Sequence, residues 1–121
     1  MNKRLLTLFI SLLVYLGVFS QAPEAINYQA IVRDGAGAII PTQAVGIQLS
    51  ILQGSATGTA VYQETFTPTT STFGLVNIQI GTGTAQTGAF NTIDWGSGPY
   101  FIETAVDVTG GTNYVSISTT Q

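Results

Sequence analysis

The sequence predicts an all-β domain: a single antiparallel Greek-key β-sandwich of about seven strands. Apolar and polar residues alternate along several short runs, the period of a strand with one buried face. Those runs are rich in threonine, valine, isoleucine and aromatics, which suit a pleated, half-buried surface. Turn-forming residues separate them roughly every ten positions, the spacing of a sandwich.

The chain opens with a different kind of segment. Lys3 and Arg4 form a short basic start, and residues 5–19 are apolar except for Thr7, Ser11 and Gly17. Ser20, Gln21 and Ala22 then return to small or polar side chains. This is the three-part layout of a secretory signal peptide. The apolar run is also shorter than the roughly 20 residues of a permanent bilayer span. Small residues are needed one and three places before the cut, and Val18 and Ser20 supply them for cleavage after residue 20. Two segments follow: a signal helix at 1–20 and a sandwich domain at 21–121. The exported product is expected to be secreted or held at the cell surface, without stable membrane insertion. With no cysteine in the chain it is not a lipoprotein, and it has no disulfides.

The strands follow in order. Residues 27–33 form the first, closed by Asp34-Gly35-Ala36-Gly37, where Asp bonds its own backbone and glycine turns the chain. Val45, Ile47, Leu49 and Ile51 alternate with Gly46, Gln48 and Ser50 in the second. A polar loop at 53–59 leads to a strand at 60–66, and Pro68 marks its end within a second loop at 67–72. Val76, Ile78 and Ile80 alternate with Asn77 and Gln79. Residues 81–92 make the longest connection, expected to cross between sheets as a Greek key requires. Strands at 100–106 and 114–118 are joined by a hairpin whose tip is Gly110-Gly111-Thr112-Asn113.

Composition closes off much chemistry. Cleavage after residue 20 removes two of the three basic residues and no acid, leaving Arg33 against six acids, net −5. Nucleic-acid binding needs Lys and Arg against phosphates, so no nucleic-acid partner is expected. No His and no Lys lie beyond residue 20 to activate the many hydroxyls as nucleophiles. The usual ligands of zinc, copper and iron are missing too, so no catalytic, cofactor or metal residues are expected. Gly81-Thr82-Gly83-Thr84 lacks the Gly-Lys pair and following helix of a phosphate loop. Calcium accepts carbonyls with carboxylates, and Asp34 and Asp107 lie beside glycine turns. Neither region has the acid density of a dedicated calcium loop, so both read as structural turn acids. Glu64 and Glu103 read as solvent-facing strand positions.

Aromatic side chains are the remaining candidates. Trp95, followed by Gly96-Ser97-Gly98-Pro99 and Tyr100, is placed near a loop. Trp95 is expected to fold back and plug one end of the sandwich, with Phe66, Phe73 and Phe90 closing the ends similarly. The alternative is an exposed Trp95 which, with Tyr100, contacts a glycan or a peptide.

Several runs resemble a domain common in secreted Bacteroidota proteins: residues 26–34, 55–59 leading to 61–65, 73–75 leading to 78–83, 93–95 and 107–114. The resemblance covers essentially all of 23–121. It implies a module standing directly after a signal peptide and preceding tail-fibre-like, collagen-like or sorting modules. Val32-Arg33-Asp34-Gly35-Ala36-Gly37 and Phe73-Gly74-Leu75 also resemble prealbumin-like sandwiches such as the carboxypeptidase regulatory-like domains, within the broader immunoglobulin-like architecture. Neither likeness carries a catalytic motif. Relatives of the first kind continue past the last strand, so truncation at the C-terminus and a missing downstream module are expected, and with them a protein partner. The function expected is a non-catalytic spacer or interaction module of a larger exported protein. Intact mass of exported material tests the address: we expect a chain beginning at Gln21, and a retained Met1 would contradict it.

Overall fold

The computed structural model describes residues 25–121, and the expected signal helix and its cleavage point lie outside the described residues. Among the described residues seven strands form: β1 (Ile26–Ile31), β2 (Gly46–Gln53), β3 (Thr59–Phe66), β4 (Leu75–Ile80), β5 (Thr84–Thr87), β6 (Tyr100–Asp107) and β7 (Val115–Thr120). The fold is all-β with two antiparallel sheets, consistent with a β-sandwich. One sheet has five strands in the order β5-β3-β2-β6-β7, and the other pairs β1 with β4.

The alternating pattern of β2 explains its central place. Ile47, Leu49 and Ile51 point inward and are buried, as a strand flanked on both sides requires. Their cross-strand partners extend the same inner face: Phe66, Glu64 and Tyr62 on β3, and Val106, Thr104 and Ile102 on β6. β4 supplies the opposite wall through Val76, Ile78 and Ile80, all buried against that cluster. The hydroxyls of Tyr28 on β1 and Thr104 on β6 lie 2.7 Å apart, which ties the two sheets directly.

Turn chemistry sets where the strands end. The Asp34 carboxylate accepts from the backbone amides of Ala36 and Ala38 at 2.9 and 3.0 Å, closing the first turn onto itself. Asp107 performs the same task in the β6–β7 hairpin, accepting from the Thr109 hydroxyl and amide and from the Asn113 amide. Hydrogen bonds from the Thr109 hydroxyl, the Thr109 amide and the Asn113 amide hold its carboxyl below the usual range.

Three expectations change. The long connection at 81–92 does carry the chain from one sheet to the other, but it contains β5, which pairs with β3. The run Thr84-Ala85-Gln86-Thr87 holds a single small apolar side chain and is exposed throughout, so no periodicity announced it. Phe90 is buried and Phe66 packs on the core, whereas Phe73 is 76 % exposed and closes nothing. Its turn is set instead by Ser71, whose hydroxyl accepts from the Phe73 and Leu75 amides. Glu64 is wholly buried, not solvent-facing. It shares the inward parity of Tyr62 and Phe66, and its charge is met inside the fold.

Urea unfolding separates these positions. Leu49→Ala should cost about 2–5 kcal/mol, the range for emptying a packed aliphatic site. Phe73→Ala should stay within about 0.5 kcal/mol, as for other exposed positions.

Candidate functional site

Two constellations stand out, and they adjoin at one end of the sandwich. The first is built on Glu64. Its carboxylate accepts from the Tyr62 hydroxyl at 2.5 Å, the Gly81 amide at 2.8 Å and the Gly83 amide at 3.1 Å. A buried carboxylate without such partners would be strongly destabilising, and here three donors meet its two oxygens. The loop that brings the amides in needs glycine at both places. Gly81 has a φ of 104°, and a Cβ on Gly83 would sit 2.8 Å from the Phe66 ring. Burial, and then the hydrogen bond to Glu64 and its charge, push the Tyr62 hydroxyl well above the ordinary tyrosine range. Tyr62 therefore remains a proton donor to Glu64 and offers no base at neutral pH.

The second constellation is an aromatic ladder. Tyr62, Phe90, Trp95 and Tyr100 meet edge to face in succession, with ring centroids 5.6, 5.7 and 5.2 Å apart. Each such pair adds about 0.5–1.5 kcal/mol beyond the area it buries. Trp95 opens a short 3₁₀ turn, Trp95–Ser97, capped by Asp94, whose carboxylate accepts from the Gly96 amide and the Ser97 hydroxyl. The Tyr100 hydroxyl donates to the Asp94 carbonyl, and the Gln53 side-chain Nε2 donates to the Ser97 carbonyl at 2.9 Å. The turn is thus fastened to β2 and β6 from both sides.

The structure therefore brings Trp95 and Tyr100 into direct contact. Trp95 is 44 % exposed, so it neither seals the core end fully nor projects free of it. Beside the ladder lies a shallow pocket of about 260 Å³, lined by Tyr62, Phe90, Asn91 and the glycines at 81, 83 and 88. It has an aromatic wall and backbone amides but no free ionised group on its lining.

The other acids are dispersed. Asp34, Asp94 and Asp107 each cap a turn, and Glu103 sits on β6 opposite Ser50 and Thr119. Among the described residues no three His, Cys, Asp or Glu side chains converge on a common point. The expectation that Asp34 and Asp107 serve their turns describes what their side chains do here. Glu64 was legible in one respect: Tyr62-x-Glu64-x-Phe66 keeps it on the inward face. What compensates its charge lies 17 to 19 residues away, beyond the reach of a local pattern.

A family model described as a domain of unknown function (DUF8740) matches residues 27–120. The chain belongs to this family. The match runs from β1 to the last residue of β7, so the DUF8740 domain is the whole two-sheet unit and not one sheet of it. No curated protein and no solved structure matches the chain.

The Glu64 knot makes a stability prediction. Glu64→Leu leaves two amides and a hydroxyl unpaired, at about 1–3 kcal/mol each when buried. Denaturant melts should show a loss of about 3 kcal/mol or more, and a loss below about 1 kcal/mol would show that water reaches these donors.

Proposed function

We propose that this domain is a non-catalytic, exported β-sandwich acting as a spacer and interaction module of a larger cell-surface or secreted protein. The observation that carries this reading is the use made of its acids. Asp34, Asp94 and Asp107 hold turns and Glu64 holds the core, so four of the five acids among the described residues are engaged in structure, and the fifth, Glu103, stands apart from them on β6. The export signal read in residues 1–20, a Bacteroidota source and a position ahead of further modules belong to the same reading, and rest on the sequence and its resemblances. So does the finer fold: a Greek-key sandwich of immunoglobulin-like or prealbumin-like type, supported by the β4-to-β5 passage from one sheet to the other.

A second reading has one observation in its favour. Trp95 is nearly half exposed beside Tyr100 and a shallow pocket, an arrangement suited to stacking on a glycan or holding a peptide side chain. Against it, both neighbours of Trp95 in the ladder already press on its ring.

A glycan array and a panel of chromogenic glycosides and esters test the pair of readings. On the leading one, the chain beginning at Gln21 binds no glycan and turns over no substrate. Glycan binding abolished by Trp95→Ala would establish the second reading. Turnover abolished by Glu103→Gln would overturn both.

A further inference from the structure

Beyond residue 20 the chain holds neither cysteine nor methionine, the side chains with the most accessible oxidation chemistry. One-electron oxidation there must fall on Trp95 or on Tyr28, Tyr62, Tyr100 and Tyr114. Trp95, Tyr62 and Tyr100 of this set belong to the aromatic ladder. Trp95 is 44 % exposed and meets solvent, whereas Tyr62 is 2 % exposed. Phe90 stands between them, its ring centroid 5.7 Å from that of Trp95 and 5.6 Å from that of Tyr62. Electron tunnelling falls off steeply with distance, and here rings in contact bridge the surface to the core.

The fate of a proton separates the tyrosines. A phenol that loses an electron becomes a very strong acid, so its radical forms easily only where a base takes the proton. The Tyr62 hydroxyl donates to Glu64 Oε2 at 2.5 Å, the length of a charge-assisted bond. The Tyr100 hydroxyl donates instead to the Asp94 carbonyl, and the Tyr28 hydroxyl meets the Thr104 hydroxyl. Neither of those partners is a base. Among the described residues only Tyr62 sets its hydroxyl on a carboxylate. Moving that proton to Glu64 leaves a neutral radical beside a neutral acid, so no charge stays buried in the core.

We propose that the ladder is a one-electron relay: an oxidising equivalent arriving at Trp95 comes to rest on Tyr62, with Glu64 as its proton acceptor. A radical oxidant takes one electron from the Trp95 indole and is itself reduced. Tyr62 replaces that electron across Phe90, and its phenolic proton moves to Glu64 Oε2. The products are the reduced oxidant, an intact Trp95, a neutral Tyr62 phenoxyl radical and a neutral Glu64. Any proton that the oxidised indole gives to water returns from water when the indole is reduced. Phe90 is not oxidised; its ring fills the gap the electron crosses. The relay spares Trp95 the addition of oxygen that follows when an indolyl radical persists at the surface. This activity goes beyond the spacer reading and does not depend on it.

Pulse radiolysis with the azide radical tests the relay on the chain beginning at Gln21. This oxidant prefers indole to phenol and ends as azide ion, so it enters at Trp95. The indolyl absorption should decay as a phenoxyl absorption grows, at a rate independent of protein concentration. Tyr62→Phe keeps the ring and nearly the volume, and should abolish that growth. Tyr100→Phe should leave it in place. Phe90→Leu should slow it about tenfold, a barrier change of about 1.4 kcal/mol. Transfer should also slow in D2O, because a proton moves with the electron. That isotope effect is read on the unaltered chain, so it decides even where a substitution disturbs folding. After steady exposure, mass spectrometry should find more oxygen added to Trp95 in Tyr62→Phe than in the wild type. Equal phenoxyl growth in Tyr62→Phe, or an indolyl decay at the wild-type rate in that variant, overturns the proposal. Growth lost in Tyr100→Phe would place the radical on Tyr100 and overturn it as well. None of these results touches the non-catalytic reading, which falls only on substrate turnover.

Discussion

A carboxylate buried between two β-sheets is unstable unless the fold supplies it with donors, and that requirement organises one whole end of this domain. Glu64 sits at 0 % exposure on the inner face of β3, among Leu49, Tyr62 and Phe66. Its charge is met by one hydroxyl from its own strand and by two amides from the segment that leaves β4. The path of that segment needs glycine at both places, for the positive φ of 104° at Gly81 and for the room beside the Phe66 ring at Gly83. The same contact decides where the chain passes from the two-stranded sheet to the five-stranded one. β5 pairs with β3 directly after Gly81-Thr82-Gly83, whose two glycine amides rest on the carboxylate. A hydrophobic residue at 64 would satisfy the core but would give the crossing segment nothing to bind. Burying an ion here therefore contributes specificity of path, at a desolvation cost that its three hydrogen bonds must offset.

From this knot the aromatic ladder runs outward through Tyr62, Phe90, Trp95 and Tyr100. Tyr62 belongs to both constellations, donating its hydroxyl to Glu64 while its ring meets Phe90. The exposed end of the ladder is thus held by the buried end, and Trp95 is fixed in place without being enclosed. At the other flank of the sandwich the balance is reversed. There β7 carries Val115 and Ile117, both exposed, and no described strand lies opposite them.

Six of the seven strands were legible, β2 and β4 from strict alternation and the other four from β-favouring residues between turn signals, because both signals are local and survive any tertiary arrangement. β5 was not, since a short polar edge strand owes its existence to the partner it pairs with and not to its own pattern. The turn acids Asp34 and Asp107 were legible for the opposite reason: their acceptors and donors lie within a few residues. Glu64 was misread because the charge of a side chain argues for solvent, while its parity with Tyr62 and Phe66 argues for the core. Only the arrival of Gly81 and Gly83 settles which argument wins. Phe73 shows the converse, an aromatic expected to close an end that the Ser71 turn leaves in water.

The amino-acid sequence by itself determined that the domain is β throughout and where most strands start and stop. It also left few groups able to perform acid–base or metal chemistry, because composition and alternation are properties of the chain alone. The tertiary structure decided which strands share a sheet, how an ion is accommodated in the core, and that Trp95 and Tyr100 touch. It also decided that, among the described residues, no strand covers Val115 and Ile117 on β7. Val115 and Ile117 carry the same alternation as any buried strand. Whether such a face is covered depends on the width of the opposing sheet, which no local pattern encodes.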